Sequence, residues 1–156
     1  MNKDLIDSDS RRLFFVSDPV EFTMETLDML VKDAPWHPDK PELGKREEEI
    51  ITGSKIYLQK SDVDSFSSDT IVRLKNLCNV SVKGKKLSFS GMAPQKGSKI
   101  LQWCSAHMPI ELVYPDGKIV SGIVEDNISE LDGETVQFER VGFVRLEGKK
   151  AFFLHR

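Results

Sequence analysis

Short strand-like segments separated by turn signals constrain this chain more than any other feature. Apolar and polar residues alternate in about ten segments, with turn residues roughly every 8–12 positions. No stretch keeps a helical period for three turns. The clearest turn is Pro115-Asp116-Gly117, and Gly84 suits a second turn within Lys83–Lys86. The pattern predicts an all-β barrel or sandwich, and it favours interleaved barrels because an open sheet of ten strands would twist and split.

Composition places the chain among folded proteins of the cytoplasm. Its 156 residues suit one domain or two small subdomains, and 39% are hydrophobic and 30% charged. We expect no membrane association, because no apolar run approaches the ~18 residues of a membrane span. The N-terminus has no hydrophobic signal core, and the two cysteines form no Cys-x-x-Cys pair, which indicates buried thiols in a reducing compartment. A net charge of −3 excludes a strongly basic coat for nucleic acid, but it leaves room for a local basic patch.

The motifs of common catalytic and cofactor sites are missing. Neither Gly-x-x-x-x-Gly-Lys-Ser/Thr nor Gly-x-Gly-x-x-Gly occurs, so neither phosphate-binding loop is indicated. The three histidines, His37, His107 and His155, lack metal-ligand spacing. We therefore expect a binding module with no catalytic residue, no metal and no cofactor of its own.

The segment 34–46 is predicted to be an extended loop. Three prolines in seven residues, at positions 35, 38 and 41, are incompatible with a regular helix or a central strand. Ordered loops of this length in compact domains often carry function. The alternative is a rigid connector pinned by Trp36. The charge run Glu47-Glu48-Glu49 that follows it is expected to be solvated, and Ser61-Asp62 is expected to start a short helix.

The last hairpin, 135–146, carries polar groups suited to a planar ligand. Val136 and Phe138 share one side of an extended strand, and Gln137 and Glu139 share the other. Strict alternation puts Arg140 on the apolar side, so it can reach a ligand only if the chain bends near Gly142. On its own, such a hairpin is also typical of a solvated sheet edge.

Two further predicted strands carry basic residues that complement the polar groups of this hairpin. Arg73 and Lys75 alternate with apolar residues in one predicted strand, and Arg12 follows Arg11 at the start of another. Arg and Lys neutralise phosphates, and Gln offers both a donor and an acceptor to a base. Together these groups favour single-stranded RNA with unstacked bases. Taken singly, each is also typical of a solvated surface charge.

Several segments, in order along nearly the whole chain, form a recognisable series. They are Arg12-Leu-Phe-Phe-Val-Ser-Asp-Pro-Val20, His37-Pro-Asp-Lys-Pro-Glu-Leu-Gly-Lys-Arg46, Lys55-Ile-Tyr-Leu, Val72-Arg-Leu-Lys-Asn76, Gln102-Trp, Pro109-Ile-Glu and Val136-Gln-Phe-Glu-Arg-Val-Gly-Phe-Val144. The series resembles the C-terminal anticodon-binding region of glutamyl-tRNA synthetases of the archaeal and eukaryotic type, relatives of glutaminyl-tRNA synthetase. The resemblance implies two small interleaved β-barrels, a type shared with one small ribosomal protein family. We expect one barrel from about 11–54 plus 109–156, with about 55–108 inserted as the other.

The resemblance also implies a function and site residues. The full-length parent would be a glutamate–tRNA ligase that uses ATP and Mg. This piece lacks the catalytic motifs and is expected to be an inactive, monomeric fragment that binds the tRNA-Glu anticodon stem-loop. Arg12 and Gln137 would contact the middle anticodon base. The other implied contacts are Arg140, which shares the hairpin motif, Arg73 and Lys75 at the anticodon loop, and Asp39 or Lys40 near the stem.

Two details of the resemblance refine this expectation. Lys75 stands where the glutaminyl relatives have Arg, which is less suited to planar bidentate reading. A basic segment of those relatives is shortened here to 65–69, which fits a glutamate enzyme. The alternatives are a free-standing protein that binds ribosomal RNA, and a domain that docks on other synthetases through the proline-rich loop.

Overall fold

The structure, a computed structural model, describes residues 11–37, 39–67, 70–126 and 131–156. Its fifteen described strands are β1 (Arg12–Leu13), β2 (Phe15–Ser17), β3 (Pro19–Glu25), β4 (Leu30–Pro35), β5 (Lys45–Ile50), β6 (Lys55–Gln59), β7 (Ile71–Leu74), β8 (Cys78–Lys83), β9 (Lys86–Gly91), β10 (Lys99–Leu101), β11 (His107–Val113), β12 (Ile119–Glu125), β13 (Thr135–Phe138), β14 (Gly142–Glu147) and β15 (Lys150–His155). The helical elements among them are a 3-10 turn, Pro41–Leu43, and the short helix α1, Lys60–Val63. The prediction of an all-β chain is confirmed. No helix in these ranges is long and apolar enough to cross a membrane.

The first sheet joins both ends of the described chain. Its seven strands follow the order β1-β13-β14-β15-β11-β12-β2. Only Phe14 separates β1 at one edge from β2 at the other, so the sheet closes on itself as a barrel. Its core includes the stacked rings of Phe15 and Phe138, whose centres are 5.1 Å apart. The first described strand, β1, thus lies beside β13, which opens the 135–146 hairpin.

The second sheet follows the order β10-β7-β8-β9-β3-β6. It closes between β6 and the segment after β10, where Tyr57 and Cys104 exchange backbone hydrogen bonds of 2.7 and 3.2 Å. Only Asp18 separates β2 of the first barrel from β3 of the second, which interleaves the two barrels. Trp103 is the largest side chain fully buried in the second core.

A buried ion pair lies where the barrels meet the β4–β5 hairpin. The Lys32 ammonium on β4 binds the Glu125 carboxylate on β12, and both residues are at most 5% exposed. The second Glu125 oxygen accepts a 3.0 Å bond from the Phe14 N–H. The ammonium lies 4.9 Å from the centre of the Phe14 ring and 4.7 Å from that of Trp103. One ion pair therefore holds residues of both barrels and the hairpin.

The structure corrects two local predictions. The segment 34–46 is not an extended loop throughout, because its first two residues end β4 and its last two begin β5, which pairs with β4. The charge run 47–49 looked like a solvated stretch, but it lies in β5 and pairs with β4. Glu47 and Glu49 are exposed, whereas Glu48 is half-buried. The expected division into 11–54 plus 109–156 around 55–108 stays a prediction. In the hydrogen-bonded sheets, β3 pairs with β6 and β9 of the second barrel.

Candidate nucleic-acid interface

Arg12 and Gln137 are direct neighbours across two parallel strands. Arg12 is the register partner of Gln137, and the Gln137 N–H donates to the Arg11 carbonyl at 2.8 Å. Leu13 and Phe138, the next pair, point into the core and are fully buried. Because side chains alternate across a strand, the half-buried Arg12 and Gln137 side chains share the outer face. The strand of Arg12, the first described, therefore pairs with the hairpin strand that carries Gln137, as a base contact shared by the two residues requires.

The Arg12 side chain has an unusual polar environment. Its Nε atom is buried and has no hydrogen-bond partner in the protein. Its backbone N–H donates to the Trp36 carbonyl at 2.6 Å, which fixes the proline-rich loop against β1. A buried donor without a partner is costly. It is therefore expected where a ligand or water completes the set of bonds.

The proline-rich loop is closed by its own hydrogen bonds. The buried His37 accepts a 3.1 Å bond at Nδ1 from the Asp39 N–H, and its carbonyl accepts from the Lys40 N–H at 3.2 Å. The Trp36 N–H reaches the Gly44 carbonyl at 3.1 Å. Asp39 is exposed and Lys40 is half-buried in this loop. The structure links both to β1 through Trp36, but it shows no hydrogen bond or ion pair from either side chain to Gln137.

The chain bends at the β13–β14 turn, as it must if Arg140 is to reach a ligand. β13 ends at Phe138 and β14 begins at Gly142, and the Val141 N–H closes the turn onto the Phe138 carbonyl at 3.0 Å. Gly142 has a φ of 137° and Arg140 a φ of 67°, so the chain bends here. The bend turns Arg140 away from the core side to the surface.

The Arg140 guanidinium binds the second barrel. Its Nη1 donates to the Asp62 Oδ2 at 2.7 Å, and its Nη2 donates to the Ile100 carbonyl at 2.9 Å. The adjacent Glu139 accepts bonds of 3.0 and 2.8 Å from the Lys75 ammonium. Thus two consecutive residues of one turn form ion pairs with the other barrel.

Arg73 also has partners within the protein. It lies on the outer face of β7 with Lys75, as predicted, because Val72 and Leu74 are buried. Its Nη1 donates to the Asn79 Oδ1 at 3.0 Å and to the Met92 carbonyl at 2.9 Å. Its register partner on β10 is Ile100, the residue whose carbonyl binds Arg140. The Lys75 N–H donates to the Leu101 carbonyl at 3.0 Å. Arg73 and Lys75 therefore both adjoin β10, the strand whose Ile100 carbonyl binds Arg140.

The described residues contain neither a metal-binding cluster nor a reactive thiol. No group of three or more His, Cys, Asp or Glu side chains within the described ranges could hold a metal ion. Both cysteines are buried and free, as predicted. Burial raises the pKa of the Cys78 thiol to about 11, against the opposing influence of Arg73. That thiol is protonated at neutral pH and is not a nucleophile.

Comparison with known proteins places this chain in a family. Residues 10–95 match the family described as "tRNA synthetases class I (E and Q), anti-codon binding domain", which is more than half of the chain. The chain belongs to this family.

Relatives of this anticodon-binding domain share its whole length. The chain is 36% identical to the glutamate–tRNA ligase of Pyrococcus abyssi, covering 100% of this chain and 30% of the relative. It is 35% identical to that of Thermoplasma volcanium, covering 99% and 28%. For that of Methanocaldococcus jannaschii the identity is 31% and the coverage 96% and 28%. The chain thus spans about three-tenths of the length of the curated relatives it matches.

Sequence reasoning missed the acidic partners of this anticodon-binding domain. Asp62 looked like part of a helix start, but its carboxylate is 7% exposed and lies between Arg140 and Lys99. Glu139 looked like a base-facing group, but it pairs with Lys75. The only local signal was Arg140 at a bend, because the partners are 78 and 64 residues apart in sequence.

Proposed function

We propose that this chain recognises the anticodon stem-loop of tRNA-Glu as the anticodon-binding part of a glutamate–tRNA ligase. The observation that carries the proposal is the in-register pair of Arg12 and Gln137 on the outer face of a closed barrel, in a member of this family. The names of the relatives support the choice of glutamate. In this proposal Arg12 and Gln137 bind the middle anticodon base.

The chemistry of the pair favours uracil over cytosine at that base. Gln137 carries a donor and an acceptor, so its amide can turn to match either pyrimidine edge. The guanidinium of Arg12 only donates. Uracil presents an acceptor oxygen at C4, whereas cytosine presents an amino donor there. An Arg12 donor directed at this position therefore rejects cytosine, and Gln137 adds affinity.

The remaining predicted contacts extend this site across both barrels. Arg73, Lys75 and Arg140 are proposed to contact the anticodon loop, and Asp39 or Lys40 the stem. Arg73 and Arg140 use only part of the five N–H donors of a guanidinium on protein partners. Donors therefore remain for a phosphate or base oxygen at Arg73 and for a phosphate oxygen at Arg140. We assign the face to two subdomains, about 11–54 plus 109–156 and about 55–108, with β3 exchanged into the second sheet.

The activity of the whole protein follows from the same proposal. A full-length parent would join glutamate to tRNA-Glu with ATP and Mg in the cytoplasm, and this region would supply only tRNA binding. The chain by itself is proposed to be a monomer without ligase activity.

Binding of a labelled tRNA-Glu anticodon stem-loop tests the proposal by fluorescence anisotropy. We expect a micromolar or weaker dissociation constant that rises steeply with salt, with a log–log slope of about 0.7 per phosphate neutralised. Arg73→Ala should reduce both affinity and slope. Lys118→Ala, which removes a basic side chain stacked over Tyr114 in the β11–β12 turn, is the matched control and should change neither. Absence of binding at low salt would refute the proposal.

A further inference from the structure

Arg140 occupies a backbone conformation that favours glycine. It is the third residue of the four-residue turn from Phe138 to Val141, and its φ is 67°. Turns with a positive φ at this position usually have Gly or Asn, because a larger side chain crowds the backbone. Residues held in such conformations cluster where the side chain has a specific task. The task of Arg140 must therefore be sought in its contacts.

Those contacts are made to the other barrel. Arg140 binds the Asp62 carboxylate at 2.7 Å and the Ile100 carbonyl at 2.9 Å. Asp62 is almost fully buried, and its other oxygen lies 3.2 Å from the Lys99 ammonium. A buried carboxylate requires such partners, since an unpaired one is costly. The guanidinium of a first-barrel turn thus completes a buried charged group of the second barrel.

The turn is also the direct continuation of the strand that carries Gln137. Glu139 lies two residues beyond Gln137 and binds Lys75 of the second barrel through both carboxylate oxygens. Arg73 lies on β7, two residues before Lys75, which directly follows the last residue of that strand. Because Glu139 and Lys75 each lie two residues after Gln137 and Arg73, their ion pair links β13, which carries Gln137, to β7, which carries Arg73.

We propose that Arg140 is a positioning residue for base selection: with Asp62 it locks the β13–β14 turn to the second barrel and fixes the spacing between Gln137 and Arg73. A single RNA loop then meets both groups without a cost of ordering the barrels. The selectivity part rests on the proposed function. The lock between the barrels stands on the contacts alone.

Three variants separate this role from direct base contact by Arg140. Arg140→Gly removes the guanidinium and places glycine where the turn favours it, while Lys99 still pairs with the Asp62 carboxylate. Asp62→Asn keeps the shape of the side chain but removes the charge that holds Arg140. The double variant shows whether the two residues act together. The control is Asp64→Asn, since Asp64 makes an exposed 2.7 Å pair with Lys60 beside the same helix.

Two measurements test the proposal. The first is the set of residual dipolar couplings of the backbone amides, and the second is the affinity for stem-loops with U or C as the middle anticodon base. We expect the amides of 139–141 to fit the alignment of the second barrel in the wild type and in Asp64→Asn, and to depart from it in the other variants. Each of the two single changes should lower the preference for U about tenfold, and the double variant should be no worse. A wild-type preference in Asp62→Asn together with its loss in Arg140→Gly would overturn the proposal in favour of direct contact.

Unchanged couplings of 139–141 in both single variants would also overturn it. If the wild type binds no stem-loop, the proposed function fails, and the dipolar couplings alone then decide whether Arg140 and Asp62 lock the turn.

Discussion

The ion pair at the barrel junction predicts a large loss of stability when its negative charge is removed. Lys32 and Glu125 are 3% and 5% exposed, and the ammonium lies between the rings of Phe14 and Trp103. Glu125→Gln keeps an oxygen that can accept from the Phe14 N–H, so the main change is an uncompensated buried charge on Lys32. Breaking such a pair costs about 3–5 kcal/mol.

The lower end of that range applies here. Glu48 is the register partner of Lys32 and supplies part of the lost negative field. A loss of about 3 kcal/mol in a domain of this size lowers the thermal midpoint by about 6–12 °C. Differential scanning calorimetry and urea unfolding, followed by circular dichroism, measure both quantities.

Removing both charges should recover most of this loss. Lys32→Met with Glu125→Gln leaves no buried charge and keeps an acceptor for the Phe14 N–H, and neutral replacements of buried pairs are often tolerated. Glu25→Gln is the control, because Glu25 forms an exposed pair with Lys86, and its midpoint should match the wild type. A Glu125→Gln loss below about 1 kcal/mol, or a double variant as unstable as the single, would refute the reasoning.

Three further predictions concern other parts of the fold. Gly122→Ala puts a methyl group 2.5 Å from a backbone oxygen of β2, so urea unfolding should show a loss of about 1–3 kcal/mol, whereas Ser121→Ala on the same strand should be neutral. His37→Ala should speed hydrogen exchange of the Asp39 amide about tenfold, and His37→Asn, which can still accept, should not; equal rates would contradict the assigned bond. Burial raises the pKa of Glu48 above its ordinary 4.5. Protonation of Glu48 therefore adds to the free energy of unfolding below pH 4.5, and this stabilisation is lost as the pH rises through the raised pKa. Glu48→Gln should therefore be more stable than the wild type at pH 7 and lose this advantage near pH 4, and no gain at pH 7 would contradict the raised pKa.

Local sequence patterns were sufficient for most strands. Strands such as β6, β8 and β9 follow from the alternation of apolar residues and from the Gly84 turn. β5 was missed because three consecutive acidic residues hide its pairing with β4, which depends on the tertiary position of Glu48 and Lys32. Strand formation there is decided by partners, and a single-sequence pattern does not contain them.

The candidate site divides in the same way. The pairing of the strands that carry Arg12 and Gln137 could be predicted, because the family motifs assign both residues to one base and a shared base requires adjacent strands. The partners of Arg140 and Lys75 could not be predicted, since charged residues such as Asp62 in a four-residue helix and Glu139 in a turn usually face water. Their burial arises only when the two barrels meet.

The central claim is that Arg12 and Gln137 bind the middle anticodon base. It is tested most directly by titrating wild type, Arg12→Lys and Gln137→Ala with two stem-loops that differ only in U or C at that base. The account predicts that the wild type prefers U, that Gln137→Ala weakens binding of the U loop by about 1–3 kcal/mol, and that Arg12→Lys lowers the preference for U while keeping the charge. Equal losses for both loops in both variants would contradict base recognition and leave only an attraction between charges.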